Sequence, residues 1–179
     1  MSWRLIVRRE ARSELAEAID WYRSQHPDFG DRFLRAFLEA SGKKVHVLTS
    51  PHLVRFNERI VLAGAEISDA SFIEAIGEVD RAAGDDDLTL FETITCAAFL
   101  RFAQSPADYL VLEVGLGGRL DATNVIERLL AAVITPIALD HMNFLGETIA
   151  AIAHEKAGIF RRGAPAVAHR EERDLRPLE

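Results

Sequence analysis

Apolar and polar positions follow two different grammars along this chain. Residues 3–7 are β-branched and aromatic and read as a short strand. Over residues 10–25, Ala11, Leu15, Ala18, Ile19 and Tyr22 recur at helical spacing, and His26-Pro27 ends that helix. Asp28 or Asp31 caps a second helix, whose Phe33, Leu34, Phe37 and Leu38 make one apolar face and which stops near Gly42. The opening is thus β-α-α. From Lys43 onward strands and helices alternate. Residues 45–49 are a strand, SPHLVRFNER is a polar loop, IVLAGAEI is a short extended piece, and Ser68 caps a helix running to about Ala83. After a turn at Gly84 and three aspartates come an apolar helix over 88–103, a nearly uninterrupted apolar strand over 109–114, and the segment GLGGRLDATN. A second buried strand over 132–139 and a helix from about Glu147 complete the pattern, ahead of a charged tail from His169. Such alternation predicts an α/β fold, a partial parallel sheet with helices on both faces, preceded by a β-α-α segment. The helix over 31–41 is expected to bury its apolar face, Phe37 included, against that sheet.

Composition narrows the picture. At 49% hydrophobic and 27% charged the 179 residues suit a folded soluble protein, and a net charge of -7 speaks against broad nucleic-acid binding. The single cysteine, Cys96, excludes an internal disulfide and a cysteine-rich metal site; within ITCAAFL it reads as a buried thiol. No apolar stretch approaches the ~18 residues of a membrane span, and the first residues lack the core and cleavage site of a signal peptide. A cytoplasmic location is expected. Of only three lysines, Lys43 and Lys44 are adjacent and Lys156 stands alone, where a sheltered amine is easily tuned.

In an open parallel sheet, ligands bind beyond the carboxyl ends of the strands. Three expected strands end in polar residues there: Thr49-Ser50, Glu113 and Asp140-His141. A hydroxyl, a carboxylate and an imidazole could hold Mg²⁺ beside nucleotide phosphates, although imidazole is an unusual magnesium ligand. Each has a plainer reading. Ser50 before Pro51 starts a turn, and His141 is an ordinary loop histidine. Glu113 closes the apolar run LVLEV, where an unpaired carboxylate would be costly. The glycines of GLGGR permit a tight turn or a close approach, but Leu120 stands where a dinucleotide fingerprint needs its third glycine.

The segments TSPHLVRFNERI, LTLFE, EVGLGGRLDATN, LDHMNFLGET and HEKAGIFRRG occur in that order. Over residues 41–167 the chain resembles the folylpolyglutamate/dihydrofolate synthase family, a branch of the Mur-ligase-type enzymes. The resemblance implies that Glu113 and His141 are magnesium ligands, that Ser50 joins the metal site, and that Lys156 is carbamylated to support a second magnesium. It implies that the loop over 50–59, with Ser50, Pro51, His52, Phe56 and Arg59, contacts folate, and that Phe91 and Asp121 line a pterin pocket. The implied enzyme is an ATP-dependent, ADP-forming amide ligase. A dihydropteroate or folate carboxylate takes the γ-phosphoryl group of ATP, and the amine of L-glutamate then displaces phosphate from the acyl phosphate.

Two departures stand out. The family places G-x-x-x-x-G-K-[ST] before the helix that precedes Lys43. Here the only Gly-Lys pair is Gly42-Lys43, with Phe37 five residues ahead and Lys44 following. That phosphate loop, which cradles β- and γ-phosphates, is missing, and the chain ends before the family's second domain. In front, residues 1–40 resemble the opening β-α-α of RelE/ParE-type toxins, without the basic antiparallel strands that follow in them. The expected organisation is a toxin-like segment over 1–40, a partial ligase domain over 41–168 and a charged tail over 169–179. Catalysis by the isolated chain is not expected. The alternatives are a toxin–antitoxin module or a folded inactive relic, and neither a nucleic acid nor a membrane is an expected partner.

Overall fold

The structure, a computed structural model, describes residues 29–168, with side chains from Leu34 onward. The strand expected over 3–7, the helix over 10–25 and the charged tail lie outside the described residues. Helix α1 (Phe29–Ala40) leads into β1 (Val45–Leu48). A 3-10 turn (Phe56–Arg59), β2 (Ile60–Leu62) and β3 (Ala65–Glu66) follow. Helices α2 (Asp69–Ala83) and α3 (Leu90–Gln104) come next, then β4 (Tyr109–Leu112). The last elements are β5 (Ala132–Ile134), the short α4 (Met142–Leu145), α5 (Ile149–Ala157) and β6 (Ala166–Ala168).

The main sheet has the order β3-β2-β1-β4. β1 and β4 are parallel, with Val45 opposite Tyr109 and Leu48 opposite Leu112. β2 and β3 are antiparallel, so the sheet is mixed rather than wholly parallel. The segment IVLAGAEI supplies the reason, because it is a hairpin and not one extended piece. Ala63 and Gly64 both take positive φ, +48° and +96°, as a two-residue turn between strands of right-handed twist requires. The strained Ala63 is held from outside: its N–H donates to His46 Nδ1 at 3.0 Å, while Arg35 of α1 donates to the Gly64 carbonyl at 2.8 Å.

Both faces of this sheet are covered. Leu48, Ile60 and Ile67 pack with Ile94, Ala98 and Phe102 of α3 on one side. Val45, Val47 and Val61 meet Leu38 of α1 on the other. Small residues let α2 and α3 approach, Ala75 against Ala97, and the nearly buried Arg101 ties them together through Glu74, Glu78 and the Ser71 carbonyl. Ser68 and Thr89 cap the two helices, each accepting a first-turn N–H.

Several expectations are corrected. α1 does lie on the sheet, but through Leu38; Phe37 is 51% exposed, because it sits one position round from the contact. Cys96 is exposed, its neighbours Thr95 and Ala97 being the ones turned inward. The strand expected over 132–139 stops at Ile134, since Pro136 has no N–H to give a ladder. β5 pairs with β6 in a separate two-stranded parallel sheet, not with β4.

Candidate functional site

The carboxyl ends of β1 and β4 lie side by side. The Glu113 N–H donates to the Leu48 carbonyl at 2.9 Å, which carries the ladder one step past β4. The Ser50 N–H donates to Glu113 Oε2 at 2.5 Å, so the carboxylate that closes the apolar run is bonded and only half-buried. After Ser50 the chain folds back on itself. Glu58 accepts from the N–H groups of Leu53, Val54 and Arg55, and these bonds, Leu53 first and Arg55 next, hold its carboxyl below the usual 4.5. Arg59 Nε donates to His52 Nδ1 at 2.9 Å, and the His52 ring lies 4.2 Å from that of Phe56. The tip is left apolar and open to solvent, with Leu53 and Val54 at 68% and 82% exposure. Pro51 and Phe56 are exposed as well.

Beyond Glu113 the glycine-rich segment forms a compact loop around Asp121. One carboxylate oxygen accepts from the N–H groups of Gly115 and Leu116 at 3.0 and 2.9 Å. The other accepts from the N–H and hydroxyl of Thr123. Gly115 is required where the Phe91 ring crosses the backbone, since a Cβ there would stand 2.5 Å from Phe91 Cζ. Phe91 and Asp121 both line a hollow of about 280 Å³ whose walls come from four of the quoted motifs, including Thr89, Leu116, Phe144 and Glu155. None of residues 50–59 lines it. A larger hollow of about 540 Å³ lies beside Asp108 and Tyr109, at the opposite, amino end of β4, where an open sheet does not place its chemistry.

His141 follows β5, which is not in the main sheet, so the expectation of three neighbouring parallel strands is corrected. Its side chain is half exposed, and its ring lies 3.6 Å from Asp140. The helix it begins does reach the glycine loop, because a Cβ on Gly117 would stand 2.8 Å from Leu145. Lys156 is half-buried in the last turn of α5 and lies against the same loop, its carbonyl 3.0 Å from the Cβ that Gly118 lacks.

Among the described residues no three His, Cys, Asp or Glu side chains converge to hold a metal. Glu113 supplies a carboxylate of the kind magnesium takes, one or two per ion with water and phosphate oxygens in the other positions, and Ser50 touches it through its main-chain N–H. Reading for ligands alone missed the groups that organise the site. Arg119, Asn124, Glu155 and Arg161 join the glycine loop to α5, and all four fall inside the quoted motifs. Among the described residues no helix is long and apolar enough to cross a membrane.

Comparison with known proteins agrees with this layout. The family model of the Mur ligase middle domain matches residues 53–172. The dihydrofolate synthase/folylpolyglutamate synthase of Escherichia coli K12 is 46% identical over 141 residues, 79% of this chain and 33% of that protein. The structure of E. coli FolC in complex with DHPP and ADP superposes with a TM-score of 0.73 at 47% identity, covering 76% of this chain and 33% of that one. A bifunctional folylpolyglutamate synthase/dihydrofolate synthase with Mn, AMPPNP and L-glutamate bound gives 0.70 at 47% identity, covering 75% and 33%. The chain spans about a third of the length of the curated relatives it matches. With β4, its glycine loop and its helix α5 falling inside one continuous match, the chain belongs to the Mur ligase middle domain family.

Proposed function

We propose that this chain carries the metal-side and pterin-side part of an ATP-dependent ligase that adds L-glutamate to dihydropteroate or folate through an acyl phosphate. The observation that carries the reading is the convergence of four motifs on one hollow lined by Phe91 and Asp121. The relatives are named as such synthases, and their structures hold ADP or AMPPNP, a metal, DHPP or L-glutamate.

Ser50 and Glu113 would hold Mg²⁺, with His141 and a carbamylated Lys156 completing the set by resemblance. When bound, the ion supplies neutralisation of charge on the transferring phosphoryl group. The remaining work belongs to the protein. Phe91 offers an aromatic face to a flat pterin ring. Asp121 keeps the glycine loop in shape and so keeps that face open. The apolar tip of the 50–59 loop, in which the rings of His52 and Phe56 meet at a tilt, shields the reacting carboxylate from water. The reading carries a cytoplasmic location with it, the compartment that holds ATP. It also carries the division into a toxin-like segment over 1–40, a partial ligase domain over 41–168 and a tail.

Phosphoryl transfer rests on positioning and charge stabilisation, and the sequence has no Gly-rich phosphate loop ahead of β1. The chain by itself should therefore bind a pteroate and turn over no ATP. Calorimetry with a pteroate, with and without ATP and magnesium, tests this. Binding that Phe91→Ala abolishes supports the reading, and absence of pteroate binding to the folded chain sinks it. ADP release that needs both a pteroate and glutamate would overturn the inactivity.

A further inference from the structure

We infer that Arg119 is a positioning residue for Lys156, fixing the last turn of α5 so that the lysine amine is presented unpaired beside the glycine loop. The inference rests on the ligase reading for its purpose, though not for its geometry. The Arg119 N–H donates to the Glu155 carbonyl at 2.8 Å. Its guanidinium grips the Glu155 carboxylate through Nε, at 3.2 and 3.1 Å, and through Nη2, at 3.0 Å. Two residues beyond Lys156 the grip is repeated from the other side. The Asn124 amide donates to the carbonyls of Arg119 and Gly158, and Arg161 donates to the Gly158 carbonyl and to Asn124. Contact is closest at Gly158, where a Cβ would stand 2.5 Å from Arg119 Cα, so no other residue fits there without moving the loop.

Lys156 is thus held between two clasped neighbours while its own side chain has no clasp. On a helix its lateral neighbours are three and four positions back, Ala153 and the fully buried Ile152, and neither is an acid. Glu155, one position away, faces elsewhere and is taken by Arg119. Among the described residues the Lys156 ammonium makes no hydrogen bond or ion pair. A half-buried lysine with a fixed backbone and no acid beside it on its helix is suited to covalent modification.

The three lysines make a self-referenced test. Trace acetylation of the full chain, read by peptide mass spectrometry, gives the reactivity of Lys156 relative to the exposed Lys43 and Lys44 in the same molecule. Arg119→Gln keeps the backbone bond and removes the fork, and the relative reactivity of Lys156 should fall about threefold, in keeping with a partly exposed ion pair. Arg119→Lys should give a smaller fall, and it serves in place of the glutamine variant should that one fold poorly. Joining Arg119→Glu to Glu155→Arg should bring the ratio back, at unchanged circular dichroism and Tm. An unchanged ratio in Arg119→Gln, or a change that the exchanged pair does not reverse, overturns the inference. Labelled bicarbonate and carbon NMR address the ligase reading separately. A wild-type chain without a carbamate signal removes carbamylation, while the ratio still decides whether Arg119 positions the lysine.

Discussion

The sheet with its two long helices and the stretch from Glu113 to β6 are held together by different physics. In the first, Leu48, Ile60 and Ile94 are almost wholly buried, and each such side chain contributes roughly 1.5–3 kcal/mol. In the second, Ala132, Ile134 and Ile152 are the buried apolar residues, while Val133, Phe144 and Val167 stand exposed. What replaces an apolar core there is a set of side chains bonded to main chain, Asp121, Asn124 and Arg161, together with the Arg119–Glu155 ion pair. The scaffold is built by burial and the site by hydrogen bonds. A site assembled from loop amides can be shaped to a ligand, whereas a packed core fixes only what lies above it.

This contrast can be broken most forcefully from the core side. Leu48→Ala should cost about 2–5 kcal/mol through lost burial and a residual cavity. Denaturant unfolding should show the loss as a lower midpoint for the described domain as a whole. A loss well below that range would mean that the sheet is not the main source of stability.

Asp121→Ala tests the other half. Its carboxylate accepts four bonds from its own loop, and leaving those donors unmet should cost about 1–3 kcal/mol. Hydrogen exchange should speed up across 115–124 while β1 and β4 stay protected. Equal loosening of both regions would erase the distinction.

Phe37→Ala should fall below about 1 kcal/mol, since an exposed side chain away from special features seldom exceeds that. Leu38→Ala should cost more, because Leu38 is the residue that reaches the valines of β1 and β2. Thermal melts of the two variants decide the matter, and the reverse order would refute the observed seating of α1.

The smallest effect belongs to pH. Hydrogen bonds lower the Glu58 carboxyl in the folded chain, so its contribution is fully present above the ordinary value of 4.5 and is lost as pH falls through the lowered one. Amide exchange at 53–55, corrected for intrinsic rates, should therefore lose protection on acidification, and Glu58→Gln should flatten the response. Protection that does not change with pH would show that other bonds hold the loop.

Much of the scaffold could be read in the sequence because burial leaves a periodic trace. The cap at Ser68, the apolar runs of β1 and β4, the turn at Gly84 and the helix start near Glu147 all stand near where spacing puts them. The hairpin escaped notice because its turn is Ala-Gly, without the Asn-Gly or Asp-Gly that announces such turns. Phe37 and Leu38 are equally apolar, and hydropathy alone cannot say which of two adjacent residues meets the sheet. At the site, Ser50 and Glu113 were legible as polar endings to apolar strands. Arg119 and Glu155 were not, because their partnership spans 36 residues and depends on how two glycines let the chains meet.

The pairing of β1 with β4 has a consequence in time as well as in space. The two strands are parallel and their entry points, Lys44 and Asp108, are 64 positions apart, with the β2–β3 hairpin and both long helices threaded between them. Hairpins and helices close in microseconds or less, whereas a contact at such separation must first overcome the entropy of a long loop. β4 therefore docks after the intervening elements are formed. The Ser50–Glu113 bond spans the same closure, so it forms only once β4 has docked and is lost when β4 lets go.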